Sequence, residues 1–199
     1  MDRSSTLQVF ESYITAGGCF TETELQQIYA RATVKKLRKK QFLLQEGDTC
    51  RYKAFVAKGL LRSYRLKDDG AEYIMRFAPE NTWVLDHESY NNQTPSRFNI
   101  DALEGAELVL WTKEDFDMLA DTIPTLRSLS EKLKERSFDA VHERVLMNIS
   151  LSSEEKYHEF VAAFPDIFRR VPLHMVASYL GVSRETLSRI RHAQLKQKG

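Results

Sequence analysis

The stretch Val171-Pro-Leu-His-Met-Val-Ala-Ser-Tyr-Leu-Gly-Val-Ser-Arg-Glu-Thr-Leu-Ser-Arg-Ile190 reads as two short helices around a tight corner. Val176, Ala177 and Leu180 give the first helix an apolar face, and Leu187 and Ile190 give the second one of its own. Between them stands Gly181, the residue type best able to take the left-handed backbone of a sharp corner. Ser183 follows where an N-cap belongs, its hydroxyl placed to accept from the amides of the next turn. Small Ala177 allows close helix approach, and Val182 plugs the corner. This is the pattern of a helix-turn-helix, whose second helix enters the major groove of DNA.

The second helix turns Arg184, Glu185, Ser188 and Arg189 away from Leu187 and Ile190. Arginine can pair in bidentate fashion with guanine O6 and N7, and glutamate accepts from cytosine N4. Ser183 and Thr186, beside the free amides of a helix N-terminus, suit phosphate oxygens, and His174 is a further phosphate candidate. A plain helical hairpin with an internal Glu185–Arg189 pair would show the same charges. It would not also require the corner, the cap and both apolar stripes.

The run Leu180-Gly-Val-Ser-Arg-Glu-Thr-Leu-Ser-Arg-Ile190 closely resembles the recognition helix of the Crp/Fnr family of bacterial transcription regulators. Arg184, Glu185 and Arg189 fall on that family's Arg-Glu-x-x-x-Arg pattern. The resemblance implies that they read bases in double-stranded DNA, in a half-site similar to TGTGA, and that RNA polymerase is a partner. It is specific at the C-terminal end and looser before it.

Bulk properties agree with a globular chain: 199 residues, 42% hydrophobic and 29% charged. No apolar run approaches membrane-spanning length and Met1-Asp-Arg-Ser-Ser lacks a signal-peptide core, so a cytoplasmic location without membrane contact is expected. Two cysteines, Cys19 and Cys50, support neither a disulfide framework nor a four-thiolate cluster. A net charge of +1 hides an asymmetry: from Ile167 to Gly199 there are seven Lys or Arg against the single acid Glu185. A small basic end on an otherwise acidic body is the electrostatic footprint of a DNA-binding module.

From the N-terminus, Leu7 to Ala32 has helical spacing, split by Gly17-Gly18, with Thr21 or Thr23 able to cap the second piece. The basic run Lys35-Lys-Leu-Arg-Lys-Lys40 could touch DNA. It reads better as a solvated helix end or edge strand, because it lies in a different domain from the helix-turn-helix. Strand signals then recur at Phe42–Leu44, Ala54–Ala57, Leu60–Leu66, Tyr73–Phe77, Arg97–Ala102 and Leu108–Trp111, punctuated by Gly47-Asp48, Lys58-Gly59 and Asp69-Gly70. Six strands at this spacing predict a small antiparallel barrel or roll. In the Crp/Fnr family this region is a β-roll able to hold a cyclic nucleotide, and Glu46-Gly-Asp48 resembles its opening turn.

Family members that bind cyclic AMP carry a Gly-Glu pair for the ribose and an Arg-Ser pair for the phosphate. Here the corresponding places hold Leu85-Asp86 and Ser96-Arg97. Asp86 could keep the ribose contact at shorter reach, but Arg97 is displaced by one residue, which on a strand turns it to the other face. A one-residue gap in the Asn91-Asn92-Gln93-Thr94 loop would restore it. The pocket is expected to be degenerate: Asp86 and Arg97 are its candidates, no cofactor is called for, and any small-molecule effector is of unknown identity and not a cyclic nucleotide.

After a short helix over 115–123, Pro124 opens a long one. Leu126, Leu133, Ala140 and Met147 recur every seven residues, with Leu129 completing the first heptad, which predicts the seam of a coiled-coil homodimer. A second stripe, Phe138, Val141, Val145 and Ile149, is expected to face the protein's own domains. Ser152-Ser-Glu-Glu155 caps a further helix that ends before Pro165. The expected architecture is α+β. An antiparallel β-roll with flanking helices occupies 1–123 and a dimerisation helix 124–150. A winged-helix-like helix-turn-helix domain follows over 151–199. Five scattered histidines show no metal-ligand spacing, and no phosphate loop or nucleophile elbow is present, so neither a metal site nor an enzyme is expected. A cyclic-nucleotide-responsive module and a haem or thiol redox sensor on the same scaffold remain the alternatives.

Overall fold

The computed structural model describes residues 3–197. Its centre is a pair of four-stranded antiparallel sheets. One has the order β1 (Thr33–Leu37), β8 (Ala106–Thr112), β3 (Tyr52–Lys58), β6 (Thr82–Val84). The other runs β2 (Phe42–Leu44), β7 (Asn99–Ala102), β4 (Leu61–Leu66), β5 (Glu72–Ala78). The six strands expected from sequence are present, and β1 and β6 join them. The basic run forms the edge strand β1 and the turn after it.

Alternation along the strands explains the layering. On β3, Ala54 and Val56 point between the sheets, where they meet Leu61, Ile100, Leu108 and Leu110. Phe55 points outward into a second core shared with Val109 and Trp111 of β8 and with the helices α1 (Arg3–Gly17), α2 (Glu22–Ala30), α4 (Lys113–Thr122) and α5 (Pro124–Ser150). Both faces being covered, β3 and β8 read as unbroken apolar runs rather than alternating ones. A third core lies outside the other sheet. There Leu60, Tyr64, Ile74 and Phe77 pack against Tyr157, Phe160, Val176, Leu180 and Leu187.

Helix ends follow their local chemistry. Thr21 and Glu24 form a capping box at α2, and Ser152 and Glu155 form another at α6 (Ser153–Ala163). Pro124 occupies the first turn of α5 and Pro165 that of α7 (Pro165–Arg170), where a missing amide costs no helical bond. Among the described residues, everything after Leu151 is helical or connecting, ending in α8 (Leu173–Leu180) and α9 (Arg184–Gln197).

Two expectations are corrected here. The heptad stripe of α5 does not form a free seam: Leu126 and Leu129 are 2% and 8% exposed, and Leu133 packs against the same core of α1, α2 and α4. Gly17 makes room for Leu129, since a Cβ there would meet its Cδ1 at 2.8 Å. Met147 lies against the third core, and only Ala140 of the five is fully on the surface. The stripe expected to face inward is the bare one. Phe138, Val141, Val145, Leu146 and Ile149 are 64%, 58%, 49%, 59% and 80% exposed. The reason is one of length. The apolar partners supplied by α1, α2 and α4 reach only the N-terminal turns of α5, and beyond Leu133 the helix leaves that core.

The second correction concerns the Asn91-Asn92-Gln93-Thr94 loop, whose first two residues are helical. Asp86 caps the helix α3 (His87–Asn92), accepting from the amides of Glu88 and Ser89 at 3.1 and 3.4 Å, and Gln93 closes it in the left-handed region at φ 54°.

Candidate nucleic-acid interface and effector cavity

The helix-turn-helix is assembled as its sequence requires. Gly181 ends α8 at φ 67°, and the amide of Val182 reaches back to the carbonyl of Ala177 at 3.1 Å, closing the corner. A Cβ at Gly181 would meet nothing within 4 Å, so backbone conformation alone selects glycine there. Ser183 Oγ accepts from the Thr186 amide at 3.1 Å and shares a hydroxyl contact with Thr186 Oγ1 at 3.1 Å. Leu187 is fully buried against the third core and Ile190 is packed beside it.

With that face anchored, Arg184, Glu185 and Arg189 are exposed together, and Ser188 and His192 complete the same surface. Among the described residues no ion pair holds Glu185, Arg184 or Arg189, so the internal Glu185–Arg189 pair is not formed there. The amide of Glu185 and the hydroxyl of Ser183 hold its carboxyl below the usual range, which keeps it an acceptor. His174 is exposed at the start of α8.

Asp86 and Arg97 do not meet. Asp86 is buried, engaged as the cap of α3 and accepting from Ser96 Oγ at 2.7 Å. Arg97 is on the surface. A cavity of about 280 Å³ does open in the β-roll, lined by Leu44, Cys50, Tyr52, Val84, Leu85 and Ile100, but neither residue borders it. Burial pushes the Cys50 thiol up, away from the reactive thiolate. Among the described residues no group of three or more His, Cys, Asp or Glu is placed to hold a metal ion. No helix there is long and apolar enough to cross a membrane.

Several engaged residues were not visible in the sequence. Ser178 of α8 continues the open edge of β5: its Oγ accepts from the Ile74 amide at 3.0 Å and donates to the Glu72 carbonyl at 2.5 Å. Arg144 of α5 donates to the carbonyls of Met75, Ile74 and Tyr179 and lies 4.1 Å from the Tyr179 ring centroid. Arg170 of α7 forms ion pairs with Glu80 and Glu104 at two β-roll turns. Arg62 is buried beneath this contact between Asp101 and Glu72, bonded to Asp101 at 2.8 and 3.1 Å. Lys53, 8% exposed, donates to Ser130 Oγ of α5 at 3.0 Å and stands 3.8 Å from the Phe116 ring centroid. Burial lowers its pKa to about 7, with Lys134 adding to the shift and Asp117 opposing it.

A roll of two antiparallel sheets, a long helix with a bare apolar stripe and a helix pair with an exposed charged face define a β-roll joined to a helix-turn-helix. Comparison with known proteins agrees. The cyclic nucleotide-binding domain family matches residues 34–122. The chain is 26% identical over 179 residues to the regulatory protein HlyX of Actinobacillus pleuropneumoniae, covering 84% of this chain and 73% of that one. It superposes on the structure of FixK2 from Bradyrhizobium japonicum with a TM-score of 0.72 at 20% identity, covering 84% and 86% of the two chains. A transcriptional regulator of the crp/fnr family from Eubacterium rectale gives 0.69 at 18% identity, covering 89% and 85%. The chain thus carries a cyclic nucleotide-binding domain over 34–122 and is similar, over most of its length, to regulatory proteins and in fold to regulators of the crp/fnr family.

Proposed function

We propose that this protein is a dimeric, sequence-specific DNA-binding transcription regulator. In it 1–123 form the sensing part, α5 the dimerisation helix and 151–199 the DNA-binding part. The observation that carries the reading is the exposed, unpaired triplet Arg184, Glu185 and Arg189 on a helix whose opposite side is buried through Leu187. Arg184 and Arg189 each call for a guanine and Glu185 for a cytosine on one strand or the other. Ser183, Thr186 and His174 are assigned to the phosphate backbone.

A second copy is the occupant of the bare stripe Phe138, Val141, Val145, Leu146 and Ile149. Its spacing of three and four residues is that of a coiled-coil seam, and a twofold pair presents two recognition helices to successive major grooves. The site is therefore an inverted repeat, with a half-site similar to TGTGA. The engagement of Asp86 within α3 and the outward position of Arg97 speak for an effector other than a cyclic nucleotide, or for none. Selecting bound duplexes from a random pool tests the function: a two-half-site inverted repeat is expected, and enrichment of no common sequence overturns it.

A further inference from the structure

We infer that His192 is a proton-dependent phosphate contact at the centre of the α9 surface, so that DNA binding takes up one proton per recognition helix; the inference rests on the DNA-binding reading above. His192 follows Glu185 by two helical turns and Ser188 by one. At about 100° per residue it falls between those two on the midline of the exposed face, about 10 Å further along the axis than Glu185. It is exposed and lines one groove with Arg184, Glu185, Ser188 and Arg189.

A hydrogen bond fixes the chemistry of the ring. His192 Nδ1 lies 2.8 Å from the carbonyl oxygen of Ser188. A carbonyl oxygen only accepts, so Nδ1 carries the hydrogen and the neutral ring keeps its lone pair on Nε2. With Nδ1 turned back to the helix, Nε2 is the ring nitrogen left for a ligand. In the neutral form it is an acceptor, and a phosphate oxygen facing it is repelled. Protonation leaves the bond to Ser188 intact and makes Nε2 a charged donor, the form that phosphate binds. The other neutral tautomer would place a hydrogen on Nε2 only by giving up the bond to Ser188.

The surrounding charges make the duplex the group that stabilises the added proton. Arg184 and Arg189 line the groove and oppose a third cation there, with Glu185 the acid among the lining residues. The helices α6 and α8 pack on the other face of α9, through Tyr157, Phe160, Val176 and Leu180. Their titratable groups, Tyr157, His158 and Glu159 of α6 and His174 and Tyr179 of α8 among them, do not line the groove. Placement selects phosphate over a base edge. The N-terminal residues of a recognition helix reach the bases, whereas its third turn, where His192 stands, rises toward the sugar-phosphate wall of the groove. A phosphate contact carries no sequence information, so proton uptake raises affinity and leaves the selected repeat unchanged.

The test measures the affinity of the full-length protein for one inverted-repeat duplex between about pH 5.5 and 8, the interval in which histidine changes charge. Protonation is favoured in the complex, so wild-type affinity is highest at the acid end and falls as pH rises, by about tenfold per recognition helix. The slope of log affinity against log salt is steeper at the acid end, by about 0.9 per helix. His192→Gln should lose this dependence and bind throughout as the wild type does at the alkaline end. His192→Lys, permanently charged, should bind throughout as the wild type does at the acid end. His174→Gln is measured beside them, because His174 is a second imidazole assigned to phosphate, and should keep the pH dependence. Nitrogen NMR of the free protein should find the hydrogen of the neutral His192 ring on Nδ1. A hydrogen on Nε2 overturns the inference. So do equal pH profiles for the wild type and His192→Gln while both still select the inverted repeat, and so does a dependence that vanishes in His174→Gln and survives in His192→Gln. A wild type that selects no duplex at any pH overturns the DNA-binding reading and this inference with it.

Discussion

Val145→Glu is expected to convert the dimer to monomers without unfolding them. Val145 lies in the middle of the bare stripe of α5, 49% exposed, with Val141 and Ile149 one turn to either side. In a parallel twofold pair the same position on both helices meets at the seam, so one substitution places two carboxylates face to face. Each copy loses about 1 kcal/mol of apolar burial and adds a desolvation cost of roughly 1–3 kcal/mol. Across both copies that is about 4–8 kcal/mol, or roughly three to six powers of ten in the dimer dissociation constant. Sedimentation at micromolar concentration reads the result directly. Leu129→Ala is the control: Leu129 sits in the intrachain core beside Gly17, so the cavity should cost about 2–5 kcal/mol of unfolding free energy and leave the dimer intact. A Val145→Glu protein that stays dimeric, or a Leu129→Ala protein that dissociates while folded, would show that the two faces of α5 have been assigned the wrong way round.

Further outcomes are open to measurement. Lys53 has its folded pKa lowered to about 7 from the ordinary 10.5, so the unfolded chain binds more protons between those values and stability rises with pH across that window. Below pH 7 the full penalty applies, of order 3–5 kcal/mol. Lys53→Met should raise stability most at and below pH 7 and flatten the profile between pH 7 and 10, and an unchanged profile would count against the buried position of this amine. Ser178→Ala removes the hydroxyl that bonds the Ile74 amide and the Glu72 carbonyl. It should destabilise by about 1–3 kcal/mol, and hydrogen exchange at Ile74 should quicken; unaltered protection there would mean that α8 does not complete the edge of β5. Calorimetric titration with cyclic AMP and cyclic GMP should give no binding at micromolar concentration, and a clear isotherm would place Asp86 in a role other than capping α3.

Much of this was legible in the sequence, for reasons that are local. The corner at Gly181, the cap at Ser183 and the apolar positions of α8 and α9 depend on neighbours a few residues away, and spacing records such neighbours faithfully. Strand positions were legible for the same reason, although β1 was masked by its lysines and β6 by its brevity. What spacing does not record is the distant partner. Both stripes of α5 have coiled-coil periodicity, and only the positions of α1, α2 and α4 decide which is covered. Asp86 with Glu88 two residues on is an N-terminal helix signal, and the cap of α3 uses the carboxylate that a ribose contact would need. Lys53 and Ser178 take their roles from residues 77–106 positions away, and Arg144 from residues 35, 69 and 70 positions away.

The most direct test of the account is the DNA sequence selected by the wild type, by Arg189→Ala and by Glu185→Ala under one salt condition. Arg189→Ala is expected to lose about 1–3 kcal/mol on the preferred site and to relax preference at one base pair of each half-site. Glu185→Ala should keep or gain affinity for unrelated DNA, since a carboxylate near phosphates is repelled, while accepting a broader set of half-sites. If both variants select the same inverted repeat as the wild type, α9 is not the reading helix and the central assignment is contradicted.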